Sequence, residues 1–488
     1  MEQMKMNSSA QRGHGSMKGG HDHARMMLEE HRNMLWPHYV NLILGLWLIT
    51  SPFALGYMSD YVPDANVLRV MQERNLSSFE FRNLAMTWSE VISGLLIVVF
   101  SVLSASPSRR YSWAQWANAS IGFWLLFAPL VFWTPLPEAY ANDTLVGALV
   151  IGFSVLVPMM PGMSMEGMMG KPDIPPGWAY TPSSWLQRMP IAVLAVFGLL
   201  ISRYLTAYQL GHIDRAWDPF FGEGTMTIIT SDMSRAWPIA DAGLGTVAYM
   251  MEFLMAVMGD KRRWRTMPWM VLMFFVLVVP LGGVSIFFII IQPIAIGTWC
   301  TLCLVAALAM AIMIPYSLDE FVAMGQFMLA ARRRRQPLWR TFWVGDAMDG
   351  GSEDRAKAFA GTTREMIAEA VRGVTLPTTL VLSIAIGIWL MFTRLTFGSS
   401  GAMANSDHLV GALVVTFAII AWAEVARSVR FINVLFGAWL IVAPWLLEGV
   451  GSTLAIGSGM LSGALLIVLS LPLGAIKDRY AGWDRYII

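Results

Sequence analysis

Cysteine is almost missing from this chain: 488 residues contain two. That excludes a disulfide framework of the kind that staples small secreted domains. It also excludes a closed cysteine zinc site, which needs four ligands. Charge is scarce as well. Only 14% of residues are Asp, Glu, Lys or Arg and the formal net charge is +1, which leaves no basic surface for nucleic acid. The first 36 residues are polar and hold no apolar core of the signal-peptide type, so no cleavable signal peptide is expected.

Apolar residues fill the place of the missing charge, at 56% of the chain, with a mean hydropathy of +0.54. This is the composition of an integral membrane protein. A helical span needs about 20 apolar residues. Twelve segments qualify, near 38–58, 87–105, 114–134, 143–161, 187–207, 240–258, 268–291, 295–316, 376–396, 408–424, 430–448 and 455–475. With both termini cytoplasmic, most of the 34 Lys and Arg fall inside. They include Arg109, Arg110, Lys261 to Arg265, Arg332 to Arg335, Arg427 and Arg430. The positive-inside rule selects that orientation. It predicts a multi-pass protein of the cell (inner) membrane, with residues 209–239 and the cysteines near the outer, oxidising face.

Three spans share one spacing. Asn41, Gly45, Trp47 and Pro52 recur as Asn118, Gly122, Trp124 and Pro129, and again as Asn433, Gly437, Trp439 and Pro444. A worn fourth copy reads Ser383, Gly387 and Trp389, with Arg394 in the proline position. Each is followed by a span with a glycine near its start: Gly94, Gly147, Gly411 and Gly463. An acid stands four residues ahead in three of them: Glu90, Asp143 and Asp407. The physical reading is packing. Small residues let helices approach closely in lipid and asparagine bonds across them, proline ends or kinks a helix, and tryptophan anchors at the interface. The copies resemble the SPW-repeat family over about 1–160 and 376–475, which implies a membrane helical pair and no established chemistry. Ser51-Pro52 is followed by Phe53, and only Ala443-Pro444-Trp445 keeps the family tryptophan.

The two cysteines stand together in Gly297-Thr298-Trp299-Cys300-Thr301-Leu302-Cys303. A helix brings residues three apart onto one face, so the sulfurs can close and reopen a disulfide. A helix N-terminus also favours the thiolate. A structural thiol pair and half of a metal site are the plainer alternatives. Residues 187–316 order as span, long loop, span, basic turn, span, short turn, then Cys-x-x-Cys opening a fourth span. The loop carries Trp217-Asp218-Pro219-Phe220-Phe221-Gly222 and Ser231-Asp232-Met233-Ser234-Arg235-Ala236-Trp237.

This order, with those motifs, resembles the vitamin K epoxide reductase family over about a quarter of the chain. Cys300 and Cys303 fall on the family's redox pair. Ser231 falls on its loop serine near the quinone, Gly245 on a glycine of the second span, and Asp241 on a polar position that contacts the quinone in animal members. The resemblance implies a four-helix bundle, with menaquinone or ubiquinone held against the redox pair. Cys303 would face the quinone, and Cys300 would exchange with an incoming thiol. Ser231 and Asp241 are then candidate donors to the quinone oxygens, and Trp237, Phe220 and Phe221 candidate cover. Two departures stand out. The family's extra loop cysteines are absent, with Thr225 in the place of one, and the tyrosine one turn beyond the redox pair is Ala307. Reduction of vitamin K epoxide itself therefore does not carry over.

The expected fold is all-α, a central four-helix bundle flanked by two SPW blocks. Its parts are a tail (1–36), a first block (37–161), a linker (162–186), the bundle (187–329), a basic cytoplasmic linker on the membrane surface (330–375) and a second block (376–488). Glu252 lies within a span, where acids are functional candidates by default; pairing with Lys261 or Arg263 is the favoured reading, a proton relay the other. The tail holds His14, His21, His23, His31 and His38 among many methionines, a mixture that suits copper. The plainer reading is a polar tail of biased composition, and no metal is expected. The function expected is a quinone-dependent thiol oxidase whose partners are quinone, membrane lipid, and an extracytoplasmic thioredoxin-like protein or small thiol. A twelve-span transporter or a scaffold with a vestigial redox unit are the alternatives.

Overall fold

A computed structural model describes residues 35–57, 62–106, 113–156, 172–356, 358–448 and 452–487. His14, His21, His23, His31, Arg109 and Arg110 lie outside the described residues. Among the described residues the chain is helical, with isolated bridges and no strand. Twelve long helices follow in order: α1 (Trp36–Ala54), α2 (Phe79–Ser104), α3 (Trp113–Val131), α4 (Pro137–Ile151), α5 (Trp185–Leu210), α6 (Asp241–Val257), α7 (Pro268–Ile291), α8 (Thr301–Arg333), α9 (Thr378–Met391), α10 (Gly401–Ile420), α11 (Ile432–Leu446) and α12 (Thr453–Ser470). Each of the twelve expected segments meets one of them. Seven among the described residues are long and apolar enough to cross a bilayer on their own.

The described residues form two compact units. The first holds α1 to α4. The second holds the rest, together with Asp64–Leu76. That short segment reads in sequence as a loop of the first block. Its helix Ala65–Arg74 instead lies on α5, where Arg69 Nη1 donates to Tyr208 Oη at 3.2 Å.

The repeats set the architecture of α1–α4 and α9–α12. In each repeat the two helices cross at their glycines. A Cβ on Gly94 would stand 2.6 Å from the carbonyl oxygen of Gly45, and one on Gly45 would stand 2.8 Å from that of Gly94. Gly122 meets Gly147, Gly387 meets Gly411 and Gly437 meets Gly463 in the same reciprocal way. Only a residue without a side chain permits this backbone approach. Gly94→Leu is accordingly expected to destabilise the first unit by about 1–3 kcal/mol, the usual scale of overpacking. Thermal unfolding in detergent measures it; an unchanged midpoint would remove the crossing as a determinant of packing.

Repeats then interlock in pairs. The tryptophan of each donates its indole N–H to a side chain five residues ahead of the partner repeat's glycine. Trp47 reaches Asn142 Oδ1 at 2.7 Å and Trp124 reaches Ser89 Oγ at 3.0 Å. Trp389 reaches Ser458 Oγ and Trp439 reaches Ser406 Oγ, both at 2.9 Å. The asparagines also bond across repeats, Asn41 to Ser154 at 2.9 Å and Asn118 to Ser101 at 3.1 Å. Among the described residues the Asn433 side chain has no hydrogen-bond partner; the residue at the corresponding place is Ala418. Two of the three acids accept from the hydroxyl beside the proline position: Ser51 donates to Glu90 at 2.5 Å, and Thr393 to Asp407 at 3.2 Å. Tyr57 adds a bond to Glu90 at 2.8 Å.

Between the blocks, α5 to α8 form a bundle whose core includes Ala195, Phe274, Val278 and Met313, all buried. Ser184 caps α5 by accepting from Gln187 N. Helix α8 runs past the expected end of its span at 316 as far as Arg333. Its Ala, Met and Leu residues favour helix throughout, and the arginine run ends it with Arg335 left-handed at φ 57°. About 30 Å along α8 from the cysteines, the buried Arg263 and Glu320 form a two-pronged pair, both N–O distances 2.6 Å. In the 330–375 linker a short helix spans Thr363–Ala370, opened by a capping box of Thr362 and Glu365. The second block is fastened to the bundle by His408, whose ring nitrogens contact the carbonyls of Met391 at 3.1 Å and Ile289 at 3.2 Å.

Candidate active site

The redox pair sits where the chain turns from α7 into α8. After α7 a π-helical turn, Gln292–Ile296, widens the chain. Gly297 then takes φ 87°, a left-handed conformation that suits glycine. Cys300 has extended backbone and acts as the N-cap of α8, its Sγ accepting from Cys303 N at 3.0 Å. Its own N–H is held by Gln292 Oε1 at 3.0 Å. The pair therefore straddles the helix start, and the sulfurs form a disulfide with Cα atoms 5.2 Å apart.

The two sulfurs face different surroundings. Cys300 is fully buried beneath the 209–239 loop. Thr225 Oγ1 stands 3.5 Å from Cys300 Sγ, so the loop touches this sulfur through that threonine. Gly224 beside it has no room for a Cβ, which would collide with the carbonyl oxygen of Trp299. In this structure the loop closes over Cys300, with Thr225 against the sulfur.

Asp218 holds the seal, and sequence reasoning missed it. Its Oδ1 accepts from Phe220 N at 3.1 Å, Phe221 N at 2.9 Å and Thr301 Oγ1 at 2.6 Å. Its Oδ2 accepts from Thr225 N at 3.0 Å, Thr225 Oγ1 at 2.7 Å and Thr301 N at 3.2 Å. Burial pushes this carboxyl up, but the bonds from Thr301, Phe221, Thr225 and Phe220 outweigh it and hold Asp218 well below the usual carboxylate range. A depressed carboxyl stabilises above its unfolded pKa and is lost only as pH falls through its folded one. The clasp therefore stays charged across the ordinary range of carboxylate titration.

Cys303 is half-buried and lines a cavity of about 170 Å³ between α5, α6, α7 and α8. Ser231, Asp241, Gly245 and Ala307, the other positions singled out by the resemblance, line it too. Asp241 Oδ1 accepts from Gln209 Nε2, from Ser234 Oγ at 2.9 Å and from Ala242 N at 3.0 Å. The Ser231 hydroxyl donates to Ile228 O at 2.7 Å and caps the short helix Asp232–Arg235. Leu205, Ile228, Ile229, Met233, Phe288, Ile289, Ile291 and Ile296 make most of the remaining wall apolar, with Ser202, Ser285 and Gln292 among them.

A model of the vitamin K epoxide reductase family matches residues 189–318. Residues 189–318 are a vitamin K epoxide reductase family domain. The SPW repeat domain matches 76–157 and 378–472, on either side of it. No curated protein and no solved structure matches the chain. A domain of this family with a bonded Cys-x-x-Cys pair is the frame of a membrane thiol–disulfide oxidoreductase, and members of the family use quinone. Among the described residues no three His, Cys, Asp or Glu gather as a metal site.

The proposed aromatic cover lies elsewhere in the reductase-family domain. Phe220 is 79% exposed. Phe221 packs on Trp299, ring centres 5.4 Å apart, and on Phe392 of the second SPW block at 6.3 Å. Trp237 meets the cavity indirectly, its ring 6.4 Å from that of Phe288, a wall residue. Glu252 pairs with neither expected base. Lys261 binds Asp173 at 2.7 Å and Arg263 binds Glu320, and Glu252 is fully buried with neither oxygen bonded among the described residues.

The contact at Thr225 gives a direct test of the loop's register. Thr225→Cys is expected to place a third sulfur against Cys300 and to divert the disulfide, with Cys303 becoming a free thiol. Mass spectrometry of alkylated protein reads the pairing. Exclusive retention of Cys300–Cys303 would show that the loop does not sit as described.

Proposed function

We propose that the chain is a quinone-dependent thiol oxidase that keeps extracytoplasmic proteins disulfide-bonded. The observation that carries this is the division between the sulfurs: Cys303 opens on the apolar cavity, and Cys300 lies on its other side under the loop. Both termini and the 330–375 linker would be cytoplasmic, with the redox pair near the outer face.

An incoming thiolate attacks Cys300 Sγ, forming a mixed disulfide and releasing Cys303 as thiolate. The partner's second thiol then displaces Cys300 and leaves oxidised. The reduced pair passes two electrons into the cavity and closes its disulfide again. Attack requires the Asp218–Thr301 clasp to open, so the partner, a thioredoxin-like dithiol protein or a small thiol, must engage the 218–225 segment. Menaquinone or ubiquinone would supply a two-electron, two-proton acceptor. Asp241, which lines the cavity, is the polar contact offered to its oxygens, with Ser231 nearby.

Purified protein with a dithiol donor and a soluble quinone analogue tests the reading. Quinone reduction at a rate proportional to protein is expected. Absence of reduction, with the disulfide untouched by dithiol, would leave the scaffold reading in its place.

A further inference from the structure

We propose that Glu252 is a proton-transfer residue, so that this domain moves charge across the membrane as it turns over. The inference rests on the quinone-linked reading above and extends it to the source of the protons.

Glu252 is the one acid of α6 that the redox chemistry does not use. It is fully buried, and neither oxygen has a hydrogen-bond partner among the described residues. Bases are near in the chain but engaged. Arg263 Nη1 donates to Met255 O at 2.6 Å, while its other nitrogens hold Glu320. Arg188 is bonded to the carbonyls of Ala256, Met258 and Gly259. A membrane-buried acid left without a hydrogen-bond partner among the described residues is a functional group by default.

Its position suits a relay. Tyr249, one turn away and about 4.5 Å along the axis, lines the cavity and donates to Ala306 O at 2.7 Å. In the other direction α6 ends at Val257, about 7.5 Å on, among Arg188, Arg263 and Glu320. Glu252 thus stands between the cavity and the end of the bundle opposite the cysteines.

The balance is complete without a further reactant. Closing the Cys300–Cys303 disulfide releases two electrons and two protons, and forming quinol consumes two of each. If the thiol protons leave at the cysteine end and the quinol protons arrive past Glu252 and Tyr249 from the other end, each turnover separates two charges.

The test uses the full chain in proteoliposomes containing menaquinone or ubiquinone, a pH dye in the lumen and a membrane-impermeant dithiol outside. Only molecules with the cysteine end outward then turn over. Lumen alkalinisation of about one proton per electron is expected. E252Q should reduce it at least ten-fold, with partial recovery in E252D. Infrared spectra of quinone-free protein should show a carboxylic acid band that shifts in D₂O and is missing from E252Q. Quinol formation by the wild type with lumen pH unchanged, alkalinisation of wild-type size in E252Q, or a Glu252 band that does not exchange in D₂O would each overturn the relay. Absence of quinol formation in the wild type would instead overturn the quinone reading, and the relay with it.

Discussion

Cys303→Ala and Cys300→Ala are each expected to reduce quinone turnover to the uncatalysed background, a loss of about 10⁴-fold or more, the scale seen when a nucleophile is removed. The two should fail differently. Without Cys303 there is no sulfur on the cavity wall, yet once the loop opens the Cys300 thiolate can still attack a partner's disulfide and release one of its thiols, and the resulting mixed disulfide has no internal thiol to resolve it. An adduct through Cys300 should accumulate in cells and appear on non-reducing gels. Without Cys300 the remaining thiol faces the cavity and no adduct should form. Wild-type rates in either variant would sink the mechanism. If Cys303→Ala traps nothing and Cys300 also resists an impermeant thiol reagent in the reduced protein, the loop never opens and direct exchange is wrong.

The second large effect concerns stability. Glu320→Leu leaves the Arg263 guanidinium in a site where both side chains are almost fully buried. Breaking a buried pair from one side costs about 3–5 kcal/mol, whereas replacing both partners by apolar groups of similar volume is often neutral. The single variant should lower the thermal midpoint in detergent sharply. The double variant Glu320→Leu with Arg263→Met should recover most of the loss. Equal destabilisation of single and double variants would show that the arginine's bonds to Met255 and Met258 carbonyls, and not the ion pair, hold the turn.

The repeats were legible because close packing imposes a residue type at a fixed interval. Gly45 and Gly94 tolerate nothing larger, so the pattern survives four copies. The partners of the tryptophans were not legible: Trp47 bonds Asn142, 95 positions on, and any small polar side chain would serve there. Tryptophan read as an interface anchor is also a bond between repeats. Around the redox pair, Ser231, Asp241 and Gly245, read from the family resemblance, and Ala307, read as a departure from it, line one cavity with Cys303. Asp218 escaped notice because an Asp-Pro turn foretells bonds to Phe220 and Phe221 but not the reach to Thr301, 83 residues later. Glu252 was misjudged by proximity in sequence. Its nearest bases are claimed by Asp173 and Glu320, acids that become neighbours only in the folded chain.

The reciprocal indole bonds bear on how the protein is made. When the first repeat leaves the ribosome, Trp47 and Asn41 enter the membrane with partners, Asn142 and Ser154, that have not been synthesised. The same holds for Trp389, whose acceptor Ser458 follows 69 residues later. Each early repeat must wait with unsatisfied donors, a state that insertion machinery or lipid headgroups have to shelter, and its completion is timed by the arrival of the next repeat. Deleting one repeat of a pair should therefore strand its sibling in the membrane as a substrate for quality-control proteolysis.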